Sequence, residues 1–288
     1  MQGPTRSVDP HSPEVIALVL TPAARAQVPI RGAPTLSHAS GELLREIEIL
    51  DEYADHRRIL LPVERPLLVR VDEHPLATLW SLGANAEWLV LGYLWNQQLL
   101  TDVTHLESIT IDWGSGSALV KTRSGAPLVG VPGAPAPHCS PSNLQGSPLQ
   151  DSSRIARSRL LSMLAKVPRD NTIYRAAGSV HGCALFAGGE LLIGVEDVSR
   201  RNTFDIIAGW MALHGVPGDD KALFTTGRLT SEILLKAARS GIRCLIARKG
   251  VTAGCCDLAG QLGMTLFGHA AQGRYICYAG LARFDPSA

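Results

Sequence analysis

The sequence is short of charge. Only 18% of its 288 residues are Asp, Glu, Lys or Arg, against 45% hydrophobic, and 27 basic side chains offset 26 acidic ones to leave a net charge of +1. No charge excess attracts a polyanion, so neither nucleic acid nor a membrane surface is expected as a partner. Long apolar runs are missing too. "VIALVL" near the start is too brief to span a bilayer and lacks the flanks of a signal peptide, so a cytoplasmic protein is expected. Cysteine motifs are absent: Cys139, Cys183, Cys244, Cys255, Cys256 and Cys277 include no CxxC pair. That argues against a disulfide framework and a Cys-rich zinc site, and no metal ligand is assigned. No Gly-x-Gly-x-x-Gly opens a helix after a strand, and "TTGRLTSE" is not a Gly-rich Lys-Ser/Thr phosphate loop.

What is present divides the chain into four parts. Residues 1–40, rich in Pro, Ala, Ser and Thr with one strand signal at Val15–Leu20, read as a flexible N-terminal extension. Residues 41–123 carry aliphatic runs broken by Pro and turns, then "AEWLVLGYLWNQQLL", a helix without a clean apolar stripe and hence buried on several sides. These form a smaller, mixed α+β domain. Residues 124–150, with their repeated Pro, Gly and Ser, read as a mobile loop. In residues 151–288 a helix at about Ser153–Lys166 precedes "GCALFA" and "ELLIGVE", a hairpin about Gly188-Gly189. Helices then follow at Thr203–His214, capped by Asn202 or Thr203, and after the caps Thr230 and Thr252. Their alternation with strands predicts an α/β domain with a mostly parallel sheet and helices on both faces.

Such sheets bind ligands beyond the carboxyl ends of their strands. Three polar clusters fall there: "EDVSRRN", "TTGRLTSE" and "RKGVTAG". With helix N-termini beside them, Arg200, Arg201, Arg228, Arg248 and Lys249 suit an anion such as phosphate; solvated turns are the alternative. Glu196, Asp197 and Asp205 repel phosphate and are expected to organise the site by fixing the arginine forks or accepting bonds from a guanine base. His181, at a strand start, is more simply a structural histidine than a base. Cys255 and Cys256 lie in a first helical turn, where a thiolate is favoured, with packing the expected role of at least one of them. Cys139, beside His138 in the Pro-rich loop, is the thiol expected to be most accessible.

The blocks "GSVHGCALF", "EDVSRRNTFDIIAG", "TTGRLTSEILLKAARSGI" and "LFGHAAQGRYICYAG", with "ERPLLVRVDEHPLATLW" and "LGYLWNQQLL" further back, resemble the FdhD family of formate dehydrogenase accessory sulfurtransferases over roughly residues 60–280. The resemblance implies a cytidine-deaminase-like three-layer domain that forms a homodimer. It implies binding of bis-molybdopterin guanine dinucleotide, for which a guanine nucleotide is a partial mimic. The partners implied are a cysteine desulfurase and a formate dehydrogenase-type catalytic subunit. Carried over, it assigns cofactor binding to His181, Glu196, Asp197, Arg200, Asn202, Asp205, Thr226, Gly227, Arg228, Ser231, Glu232, Lys236 and Thr252, and sulfur transfer to Cys139. Three departures stand out. The family's Cys-Gly-x-Cys is replaced by "HCSPSN"; Ser199 and Arg201 stand where the family has Gly and His; and the zinc signature of deaminases is absent. The alternatives are a non-catalytic cofactor-binding chaperone or complex subunit and an unrelated nucleotide-binding α/β enzyme.

Overall fold

The computed structural model describes residues 17–124, 154–167 and 172–288. In chain order the elements are β1 (Leu18–Leu20), α1 (Pro22–Arg25), β2 (Thr35–Leu36), β3 (Leu44–Leu50), β4 (His56–Pro62), β5 (Arg65–Val71), β6 (His74–Ser81), α2 (Ala86–Asn96), β7 (Leu106–Asp112) and β8 (Ser117–Thr122). Then come β9 (Ile155–Ala156), α3 (Arg157–Lys166), α4 (Thr172–Ala177), β10 (His181–Ala187), β11 (Glu190–Asp197), α5 (Arg200–His214), β12 (Lys221–Thr225), α6 (Ser231–Arg239), β13 (Cys244–Ala247), α7 (Ala253–Gln261), β14 (Thr265–Ala271), β15 (Arg274–Ala279) and β16 (Phe284–Asp285).

The larger sheet runs β1-β11-β10-β12-β13-β14-β15. Alternation along its strands builds two cores. Cys183, Leu185, Leu223 and Leu245 face α5, α6 and α7, while Ala184, Phe186, Phe224 and Ile246 face α3. The result is the expected three layers, but the sheet is not mostly parallel. Only the β12–β13 and β13–β14 pairings are parallel; the other four are antiparallel. The cause is local. Gly188 and Gly189, both with positive φ, close β10 and β11 into a tight hairpin, and β14 and β15 turn through Gly273, leaving crossover helices only in the middle.

The N-terminal domain is a second, mixed sheet, β2-β7-β8-β5-β6, backed by α2, with β3 and β4 as a separate two-stranded arm. Residues 17–40 correct the expectation of a flexible extension. Leu18–Leu20 add an edge strand to β11 and Thr35–Leu36 pair with β7, so this stretch ties the two sheets together. Val15 and Ile16 lie outside the described residues, as do residues 125–150 of the Pro-rich loop 124–150.

The domains meet where α2 crosses α5. A Cβ built on Gly92 would lie 1.7 Å from the Asp205 carbonyl oxygen, and one on Gly209 would lie 2.0 Å from that of Trp88. Only hydrogen fits at either place. This close approach explains why α2 lacks a stripe: it is covered by its own sheet on one side and by α5 on another, and Ala86, Leu89, Val90, Leu91 and Leu94 are all fully buried.

Gly209→Ala is therefore expected to cost at least about 3 kcal/mol of unfolding free energy, despite the helical preference of Ala. Gly260→Ala, in α7 with open space around it, is expected to gain about 0.5–1 kcal/mol. Denaturant unfolding of both variants checks the contrast.

Candidate functional site

At the carboxyl ends of β12 and β13 the two following turns are zipped together. Arg248 N–H donates to the Thr225 carbonyl (2.9 Å), Leu229 N–H to Gly250 (3.1 Å) and Thr252 N–H to Leu229 (3.1 Å). They form one side of an open cleft of about 520 Å³, completed by His181 at the start of β10 and Arg200 at the head of α5. The structure thus brings His181, Arg200, Thr226, Gly227, Arg228 and Thr252 to one place, with Lys249, Gly250 and Val251. The sequence reasoning missed Gly250 and Val251. Their signal is topological: Val251 bridges Leu229, a pairing visible only once the two turns are side by side.

Each wall residue is positioned by its neighbours. Thr226 Oγ1 accepts a hydrogen bond from Gly182 N–H (3.0 Å), and Thr225 Oγ1 one from Gly227 N–H (3.1 Å). The stem of Arg200 passes Gly227, where a Cβ would stand 3.2 Å from Arg200 Cδ. The helix α5 begins three residues earlier than expected, because Ser199, not Asn202 or Thr203, is its N-cap and accepts from Arg201 N–H (3.3 Å). That places Arg200 in the first turn, aimed at the cleft. Its Nε is buried and has no hydrogen-bond partner among the described residues. Thr252 makes no side-chain cap bond at the head of α7. Among the described residues no carboxylate lines the cleft, which holds Arg200, Arg228 and Lys249. Burial first, and then the Arg200 charge, hold His181 below the usual histidine range, so its ring is neutral near pH 7. The arrangement suits an anion with several oxygens.

The other proposed cofactor ligands do not line the cleft; they hold its frame. Glu196 is buried and accepts from Ile173 N–H (3.1 Å) and Tyr174 N–H (3.3 Å), at the head of α4. Asp197 is fully buried and accepts four bonds, from Ser81 Oγ (2.8 Å), Leu82 N–H (3.1 Å), Ser199 N–H (3.0 Å) and Asn202 Nδ2 (2.8 Å). Asn202 also donates to the Trp80 carbonyl (2.7 Å). These two side chains tie β6 of the N-terminal domain to the start of α5. Asp205 accepts two bonds from Lys236 Nζ (2.9 and 2.7 Å) and one from Asn96 Nδ2 (2.7 Å), joining α5, α6 and α2; both ionic partners are about 3% exposed. Asp205 and Lys236 are thus spent on each other in the interior and do not reach a ligand in this arrangement. The fork of Arg201 is held by Glu232 (2.8 and 2.9 Å), not by Asp197 or Asp205. Ser231 lies against Gly254 in the first turn of α7, at the rim and outside the lining.

Thiol chemistry has no support among the described cysteines. Burial raises all five, Cys244 and Cys255 to about 12. Cys255 is buried, the packing role expected of at least one of the pair, and Cys256, part-exposed, is raised by burial and then by Asp257, so the head of α7 holds no activated thiolate. Cys139 and His138 lie outside the described residues. No group of three metal-ligating side chains occurs among the described residues, and no helix there is long and apolar enough to cross a membrane.

A three-layer α/β domain with a cationic cleft at its strand ends, locked to a smaller mixed domain, defines the class. Residues 62–285 match the model of the FdhD/NarQ family, and the chain belongs to that family. A protein named sulfur carrier protein FdhD from Halalkalibacterium halodurans is 26% identical over 252 residues, covering 81% of this chain and 91% of its own. One of the same name from Geobacillus kaustophilus is 26% identical over 226 residues, covering 72% and 83%. Among solved structures, a Desulfotalea psychrophila chain described as a formate dehydrogenase accessory protein superposes with a TM-score of 0.70 at 22% identity, over 84% of this chain and 98% of that one. It shares the fold.

Asp197→Asn leaves one acceptor oxygen for four donors and is expected to cost about 2–3 kcal/mol. Burial pushes Asp197 up to about 6, against an ordinary value near 4. A group whose folded-state value is raised contributes stability that is full below the unfolded value and lost as pH rises through the folded one. The wild-type advantage over Asp197→Asn should therefore narrow between about pH 4 and 6 and stay flat above, as read from unfolding curves across pH.

Proposed function

We propose that this protein is an accessory factor that binds bis-molybdopterin guanine dinucleotide as cargo, with a guanine-nucleotide phosphate in the cleft. It supports sulfuration of that cofactor or its insertion into a formate dehydrogenase-type catalytic subunit. The observation that carries this reading is the cleft itself: among the described residues, three cationic side chains, two threonines and no carboxylate surround about 520 Å³. The cargo class rests on the resemblance drawn from the sequence, and the relatives named sulfur carrier protein support the sulfur role. In chemical terms, Arg200 and Arg228 donate charge-assisted bonds to phosphate oxygens, the buried Arg200 Nε gains the acceptor it lacks, and Lys249 adds a point charge at the rim. Neutral His181 contributes one ring N–H donor. The acids behind the cleft hold α5, α6 and β6 in register, so that the donors are in place before the cargo arrives. A homodimer and a cysteine desulfurase donor belong to the same proposal.

Binding is tested by calorimetry with GDP as partial mimic. Wild type binds, and Arg228→Ala weakens binding about tenfold or more, because a charge-assisted bond is worth roughly 1.5–3 kcal/mol. Absence of GDP binding, or equal affinity in both proteins, sinks the cleft assignment.

A second reading, a cofactor-binding chaperone without sulfur transfer, is favoured by one observation: every thiol in the described residues is raised, which leaves only Cys139 for a persulfide. On this reading Cys139→Ser keeps GDP affinity and lowers formate oxidation by a co-expressed client only modestly. Loss of client activity with affinity intact instead makes Cys139 a working carrier.

A further inference from the structure

The amino ends of β12 and β13, opposite the cleft, hold a second concentration of positive charge. Five residues of strand, about 15 Å, separate the two ends. Arg154, Arg159, Arg243, Arg283 and Lys221 surround a small cavity of about 40 Å³ whose floor includes Ile155, Phe186, Ala222 and Cys244. Three different parts of the fold supply the arginines. Arg159 stands on α3, its stem packed over the Gly188-Gly189 turn (3.3 Å from the position of a Gly189 Cβ). Arg243 leads into β13 and Arg283 follows β15. Two carboxylates line the cavity. Asp220 is taken by Lys221, and Arg154 pairs outward with Asp285 (3.8 Å). That leaves Asp219 facing Arg159, Arg243 and Arg283.

Arg283 Nη1 donates to the Gly263 carbonyl (3.1 Å), whereas Arg243 is incompletely served. Arg243 Nε is buried with no hydrogen-bond partner among the described residues, and its Nη1 reaches only the Leu262 carbonyl, at 3.4 Å. Among the described residues no ion pair holds Arg159. Burial, and then the neighbouring Arg283 charge, pull Arg243 below the usual arginine range. Like charges converging on a cavity with an unmet donor describe a receptor, since in a purely structural cluster the donors meet acceptors.

We propose that this cavity is a second anion site, distinct from the cleft, which takes a small free oxyanion of phosphate or sulfate size between Arg159, Arg243 and Arg283. The volume admits a few water-sized groups and excludes a nucleotide. Guanidinium forks from three elements can surround a tetrahedral anion, and its charge relieves their mutual repulsion. Because α3, β13 and the segment after β15 all contribute, an occupied site clamps the α3 layer to the sheet.

The test measures the melting temperature of the full chain against inorganic phosphate at constant ionic strength, with chloride as the balancing salt. Wild type is expected to gain an increment, and Arg228→Ala, which removes a phosphate donor from the cleft, is expected to keep the part of it that depends on Arg159 and Arg243. Arg159→Gln and Arg243→Gln are expected to weaken the apparent phosphate affinity about tenfold or more. Arg159→Gln, whose side chain is on the α3 surface and makes no ion pair among the described residues, should fold and melt at or above the wild-type temperature without phosphate, because it removes repulsion. A full increment in Arg159→Gln, an increment lost altogether in Arg228→Ala, or no increment in wild type beyond chloride overturns the proposal. If Arg159→Gln melts well below wild type without phosphate, the cluster is structural and the proposal fails equally.

Discussion

Two hydrogen atoms in place of two methyl groups, at Gly92 and Gly209, let the backbones of α2 and α5 touch, and the rest of the architecture depends on that contact. With the helices this close, Asn96 of α2 reaches Asp205 of α5, which in turn holds Lys236 of α6. One buried carboxylate thereby joins three helices from two domains. A second, Asp197, joins the end of β6 to the start of α5 through four bonds. The cost of burying these charges is offset only because each is met by several donors, so the arrangement has little freedom to shift. The head of α5, and Arg200 with it, is fixed as a consequence.

The same constraint explains why a chain so sparing of charge concentrates it in Glu196–Asp205. The segment faces two ways. Its acids point inward and serve as ties; Arg200 points outward into the cleft. Sequence alone marked the segment as chemically important, since half-buried runs flank it, but gave no means to separate the two roles. Burial and register decide that, and both depend on α2, more than a hundred residues earlier in the chain.

Other parts were legible for definable reasons. The three layers followed from strand-helix alternation, and the convergence of "TTGR" with "KGVT" followed from the rule that loops after parallel neighbours share an edge. The hairpin about Gly188-Gly189 was legible, but the antiparallel β10–β12 and β14–β15 pairings and the added edge strand Leu18–Leu20 were not, because they leave weak marks beside the crossover pattern. Ser199 was overlooked as the cap of α5 because Asn202 and Thr203 are equally good caps by composition; the choice falls to Ser199 since Asn202 is engaged with Asp197 and Trp80. The arginine cavity was not legible at all. Its members are single residues scattered from 154 to 283, with no local motif to announce them.

The central claim is that a prebuilt cationic cleft at the carboxyl ends of β12 and β13 receives the guanine-nucleotide phosphate of the cargo. Hydrogen–deuterium exchange of the full chain, with and without saturating GDP, tests it most directly. The account predicts slowed exchange in residues 226–230, 249–254 and the first turn of α5, with the amino ends of the same strands unchanged. Protection confined to other segments, or no protection at saturation, would contradict it.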